Sequence, residues 1–149
     1  MNTLTKKDPS VTANRVIFVL SLIGLVIALY VTQSFLRKTG IICVNTGCEL
    51  VRKSPSSYLF GVIPVPSVGL IGYALLATFA FLRTGGKNAW TKMAMLCVSL
   101  FGVCFVSWFT YTEIFIIKGM CTWCAISAIN MYAILFLVLR LPNTIEVHS

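Results

Sequence analysis

Polar and apolar positions do not alternate along this chain; they come in blocks. Four apolar blocks stand out: Val16 to about Leu36, Pro66 to Leu82, Met93 to about Thr112, and Cys121 to Leu139. The second is the shortest, and Ile63 and Val65 extend it. A helix needs about 20 apolar residues, rising 1.5 Å each, to cover roughly 30 Å of hydrocarbon. Each block is near that length, and none has the in–out alternation of a membrane barrel strand. The pattern therefore predicts an all-α integral membrane protein, a four-transmembrane-helix bundle. It forms a single membrane domain over residues 1–149, with residues 37–65 as the long loop between the first two spans. No internal repeat or low-complexity tract interrupts it.

Composition rules out the soluble alternative. The chain is 58% hydrophobic and 11% charged, whereas soluble domains carry about 25% charged residues. The net charge of +8 belongs to the ends of the spans, beside anionic headgroups, and no soluble basic face exists to hold a nucleic acid. Lys6, Lys7 and Arg15 precede the first block like the basic region of a secretory signal. The block is longer than the roughly 7–15 residues of a signal core and has no small-x-small cleavage site, so a retained anchor is expected.

Four spans put both termini on one side. Lys6, Lys7, Arg15, Arg83, Lys87, Lys92 and Arg140 share that side, and Arg37, Lys38, Arg52, Lys53 and Lys118 share the other. Seven basic residues against five favours cytoplasmic termini in a multi-pass protein of the cytoplasmic (inner) membrane.

That topology sorts the six cysteines. Cys43 and Cys48 follow the first span, and Cys121 and Cys124 open the fourth, so both pairs meet at the outer, oxidising face, where disulfides persist. Cys121 and Cys124 form a C-x-x-C on a first helical turn, where the positive end of the helix favours a thiolate. Such a thiolate attacks disulfides and quinones. Cys43 and Cys48 flank a turn containing Asn45 and Gly47. A ring this short removes little chain entropy, so a purely stabilising staple is a poor use of it. Two bland readings stand beside the redox one. Four thiolates suit zinc, and two inert disulfides would need no chemistry. Cys97 and Cys104, seven apart in the third span, are expected to be small packing residues.

With its loop pair Cys43/Cys48, the run "CELVRKSP" carrying Ser54, the start "PSVGLIGY" of the second span and "CTWCAISAIN" at the fourth, the chain from residue 16 to 140 resembles the vitamin K epoxide reductase family. The likeness is to its bacterial, membrane-core form. It implies a four-helix bundle with a quinone beside the C-x-x-C and a short half-helix capping the site, here within "SPSSYLFGVI". It also implies a relay: Cys43 and Cys48 exchange with a separate thioredoxin-fold periplasmic protein, Cys48 exchanges with Cys121, and Cys124 faces the quinone, of the ubiquinone or menaquinone (vitamin K) type. Ser54 would hydrogen-bond at the cap, its plain alternative being a helix cap before Pro55. No metal belongs to this scheme. No thioredoxin-like segment follows Ser149, so the partner is expected to be a separate chain.

Departures narrow the activity. Animal members place a tyrosine shortly after the C-x-x-C and an asparagine at the start of the second span; here those places fall near Ala128 and Val65. Plain quinone reduction is therefore favoured over epoxide reduction. Candidate walls for the quinone are Phe60, Trp108, Tyr111, Phe115, Trp123 and Ala128, although aromatics at this depth also form interfacial belts. Glu113 is expected to reach headgroups or Lys118, with proton transfer to a quinone as its sharper alternative. Asn130 is expected to bond between helices or mark a site, and His148, in the tail, carries no signal. A second bacterial family of quinone-linked thiol oxidases orders its cysteine pairs the other way round. A non-enzymatic membrane protein with structural or metal-binding cysteines is the remaining rival.

Overall fold

The computed structural model describes residues 9–44, 46–86 and 88–142. Asn45, Lys6, Lys7, Lys87 and His148 lie outside them. Among the described residues there are five α-helices: α1 (Pro9–Arg37), α2 (Gly47–Lys53), α3 (Val65–Gly85), α4 (Ala89–Thr112) and α5 (Thr122–Arg140). All but α2 are long and apolar enough to cross a membrane, α4 being prolonged to Ile117 by a π-helical turn, Glu113–Ile117. In hydrocarbon every backbone N–H and C=O must be satisfied within its own segment, which is why blocks of this kind are helical. Val19, Val26, Ile71, Phe101 and Ile129 stand on the outside of the bundle, more than half exposed, where only lipid can cover them. This is a membrane protein.

The four long helices close a ring: α1 packs on α3 and α5, and α4 packs on the same two. Ile17, Tyr73, Leu76, Ala80, Met95 and Ile134 fill one half of the interior. Val31, Phe35, Cys48, Val51, Phe109 and Cys121 fill the half that holds the cysteines. Polar side chains stitch the ring. Asn14 Nδ2 donates to the Ala80 carbonyl (3.0 Å), Asn130 Nδ2 to that of Leu20 (3.0 Å), and Tyr73 Oη to that of Ser127 (2.9 Å). Asn130 thus serves helix–helix bonding. The Tyr73 ring lies against Gly24, where a Cβ would overlap it.

The helices run past the apolar blocks. α1 is already helical from Pro9, the first described residue, rather than from Val16, and the buried Asn14 in this added stretch bonds across to α3. Arg37, Arg83 and Arg140 sit in the last turns of α1, α3 and α5, complementing their dipoles. Lys38 then ends α1 in a left-handed conformation (φ 53°).

The capping half-helix lies upstream of where the sequence reading put it. It is α2, "GCELVRK", knitted by Glu49 to Arg52 (2.7 Å) and to Lys53 (4.0 Å). Pro55 cannot continue it. "SPSSYLFGVI" instead forms a 3₁₀ turn, Pro55–Ser57, and a hairpin of β1 (Tyr58–Leu59) and β2 (Ile63–Pro64). Tyr58 pairs with Pro64 and Leu59 with Ile63. Phe60 and Gly61 take the positive φ values (54° and 75°) of a primed turn.

Candidate functional site

Three segments converge at one end of the ring. The arm after α1 brings Cys43, the start of α2 brings Cys48, and the start of α5 brings Cys121 and Cys124. Cys43 and Cys48 are joined by a disulfide. Cys121 and Cys124 are free thiols. Cys48 Sγ and Cys121 Sγ touch at 3.1 Å, and the sulfurs of Cys43, Cys48 and Cys121 all lie within 4.8 Å of one another. Two of those three are bonded to each other and so are not thiolate ligands in this state.

Burial grades the cluster. Cys48 and Cys121 are 1% exposed, whereas Cys43 is half-buried and lies between the exposed Ile42 and Val44. An outside molecule therefore meets Cys43 first. Gly47 permits the close approach of α2 to α5, because a Cβ there would overlap the backbone carbonyl of Met120. Tyr30 and Trp123 hold the Cys43 arm. Ile42 N–H donates to Tyr30 Oη (3.4 Å), Trp123 Nε1 donates to the Ile42 carbonyl (2.8 Å), and the two rings pack at 5.4 Å.

Cys121 occupies the N-cap of α5 in an extended conformation. Its thiol is lowered to about 7. The hydrogen bond from Cys124 is the main cause; burial opposes it, and the amides of Cys124 and Trp123 add to it without closing a hydrogen-bonded cap. The thiolate dominates above pH 7 and the thiol below. Cys121 attack on Cys48 should therefore slow about tenfold per unit below pH 7 and level off above it, where an unperturbed thiol would keep accelerating to about 8.5. Rapid mixing with acid-quenched alkylation, from about pH 5 to about pH 9, reads this directly; a midpoint near 8.5 would remove the effect.

Ser54 Oγ accepts from the Ser56 amide (3.3 Å), which makes it the cap of the 3₁₀ turn before Pro55. The neighbouring Ser57, fully buried, donates to the Val51 carbonyl and ties that turn to α2. No pattern in the sequence singled out Ser57.

An apolar cavity opens beside Cys124. Its walls come from α1 (Ile27, Val31), the start of α3 (Val65, Pro66, Gly69), α4 (Phe105, Phe109, Thr110) and α5 (Trp123, Ser127). Of the six wall candidates, only Trp123 is among them. Phe60 is 94% exposed at the hairpin tip, and Trp108, Tyr111 and Phe115 are each more than half exposed on the outer surface, Tyr111 packing on Phe115 at 4.6 Å. Ala128 stands one residue past Ser127, outside the lining. α4 and the π-helical turn face Trp108, Tyr111 and Phe115 outward, while Phe105, Phe109 and Val65 line the cavity. A flat apolar ring fits such walls, with Thr110 and Ser127 as the polar groups in reach.

Glu113 corrects another expectation. It neither reaches headgroups nor pairs with Lys118; it is 1% exposed, with its carboxyl turned to Cys121 and Cys124. The π-helical turn that begins at Glu113, closed by left-handed Lys118 (φ 55°) and the Gly119 amide on the Glu113 carbonyl (3.1 Å), swings it inward. Cys97 and Cys104 are exposed on the bundle surface rather than packed inside it.

The chain is thus a membrane four-helix ring that carries a disulfide in contact with a second, reduced cysteine pair. Residues 15–139 match the vitamin K epoxide reductase family, and the chain belongs to that family. Membership makes it an oxidoreductase of the membrane, quinone-linked thiol kind. No curated protein matches the chain.

Proposed function

We propose that this protein is a thiol:quinone oxidoreductase of the cytoplasmic membrane, with cytoplasmic termini, that re-oxidises a separate thioredoxin-fold periplasmic protein. The observation that carries the proposal is the 3.1 Å contact between Cys48, in a disulfide, and Cys121, in a reduced C-x-x-C whose second cysteine borders an apolar cavity.

The half-buried Cys43 meets the partner's thiolate. Attack there opens the Cys43–Cys48 disulfide, and the partner's second thiol completes its own disulfide, leaving both loop cysteines reduced. Cys48 then attacks the Cys121–Cys124 disulfide at Cys121, and Cys43 closes back on Cys48. The result is the redox state of this structure, with loop oxidised and C-x-x-C reduced. Phe105, Phe109, Val65 and Trp123 hold a flat ring against Cys124 and exclude water. A quinone bound there supplies a sink for two electrons and two protons. Cys121 and Cys124 re-form their disulfide as they deliver those electrons. Ser54 acts by ordering the 3₁₀ turn that follows α2.

Purified protein, a reduced thioredoxin-fold partner and a soluble quinone test this. Wild type forms quinol, Cys124→Ala does not, and Cys48→Ala offered the oxidised partner accumulates a mixed disulfide, because the Cys43 thiolate opens the partner's disulfide and no Cys48 is present to resolve the adduct. Retained turnover in Cys124→Ala removes that residue from the reaction. Absence of any partner adduct, with mere loss of stability, returns the cysteines to a structural role.

A further inference from the structure

Delivering two electrons to a quinone leaves its oxygens needing two protons, and the cavity beside Cys124 is poor in donors. Its walls hold no titratable side chain besides Cys124 itself. Four acidic residues occur in the chain, Asp8, Glu49, Glu113 and Glu146, and of the two in the described residues, Glu49 is committed to Arg52 and Lys53 at the surface. Glu113 is the other.

Its situation is not that of a structural carboxyl. It is 1% exposed and has no salt bridge among the described residues. Its Oε1 has no hydrogen-bond partner, although its carboxyl is within hydrogen-bonding reach of the Cys124 thiol. Burying a carboxyl without a cation or a full set of hydrogen bonds is costly, and a neutral residue would avoid the cost. The backbone is also shaped around it. The π-helical turn starting at Glu113 is an irregularity that straight α-helix would not need, and such turns concentrate at functional sites.

We infer that Glu113 is the catalytic proton carrier between the Cys124 sulfur and the quinone oxygen, a role that rests on the function proposed above. The balance is as follows. The S–H bond of Cys124 breaks and its proton passes to a Glu113 oxygen. Cys121 thiolate bonds to the Cys124 sulfur, and the sulfur pair gives up two electrons as that disulfide forms. Glu113 O–H then breaks and returns its proton to the reduced acceptor. The second proton, shed earlier by Cys121, is supplied by water from the outer face. Two thiols and one quinone become one disulfide and one quinol.

Glu113→Gln keeps size and hydrogen-bonding capacity while removing the exchangeable proton. In single-turnover assays with a soluble quinone, quinol formation should fall about 10²-fold, the usual contribution of general acid–base catalysis. Opening of the Cys43–Cys48 disulfide by the reduced partner should stay within about twofold, because that step involves neither Cys124 nor the carboxyl. Glu113→Asp should recover part of the loss. A second readout needs no quinone: infrared difference spectra between the dithiol and disulfide forms of the C-x-x-C should show a carboxyl signal in wild type that Glu113→Gln lacks. Wild-type quinol formation in Glu113→Gln, or no carboxyl signal in wild type, overturns the inference. If Glu113→Gln does not fold, the wild-type infrared signal and the Glu113→Asp rates decide. A wild-type protein that makes no quinol sinks the function proposed above, and the infrared result still judges Glu113.

Discussion

Cys121→Ser should abolish quinol formation with a reduced partner, a fall of at least about 10³-fold, while the partner still reduces the loop. The reason is geometric. Cys121 Sγ is the atom that touches Cys48 Sγ, at 3.1 Å, and it completes the three-sulfur group of which Cys124 is not a member. Serine fills the same volume but cannot accept a sulfur bond. Electrons entering at Cys43 would then stop at the loop. Acid-quenched alkylation and mass measurement should find Cys43 and Cys48 reduced, with Cys124 unable to reach them. Turnover within tenfold of wild type would mean that Cys48 passes its electrons by another route.

Gly47→Ala has the next largest effect, and it touches no sulfur. The new Cβ would overlap the Met120 carbonyl, a backbone atom that cannot rotate away. Relief requires α2 to withdraw from the start of α5. Overpacking of this sort costs about 1–3 kcal/mol, and a displacement of about 1 Å between reacting atoms costs about 100-fold in rate. Thermal unfolding in detergent should register the first, and the rate of exchange between the two cysteine pairs the second. An alanine variant that exchanges at the wild-type rate would show that the contact between Cys48 and Cys121 tolerates a displaced α2.

How far these features could be read from the chain depended on what each one is made of. The spans were legible because hydrocarbon demands long apolar runs; Thr112, where the third block ends, is where α4 gives way to the π-helical turn. The helical stretch before Val16 was not legible, since Asn14 looks like a loop residue until its bond to Ala80 is known. The meeting of the cysteines followed from parity alone: the end of the first crossing and the start of the fourth share a face. Which side of a helix looks inward did not follow. These helices are apolar all round, so Trp108 and Phe109 are equivalent as letters, yet Phe109 is 6% exposed and Trp108 52%. Trp123 was the exception because its place between two cysteines fixed its neighbourhood. Glu113 was misjudged because a π-helical turn changes which residues share a face, and no composition signal marks one.

The indole of Trp123 gives the molecule a latch. Its bond to the Ile42 carbonyl (2.8 Å) ties the arm beside Cys43 to the first turn of α5, whose amides favour the Cys121 thiolate. Whatever draws Cys43 outward also strains that turn. A pull on that arm would thereby reach the Cys121 sulfur through one side chain.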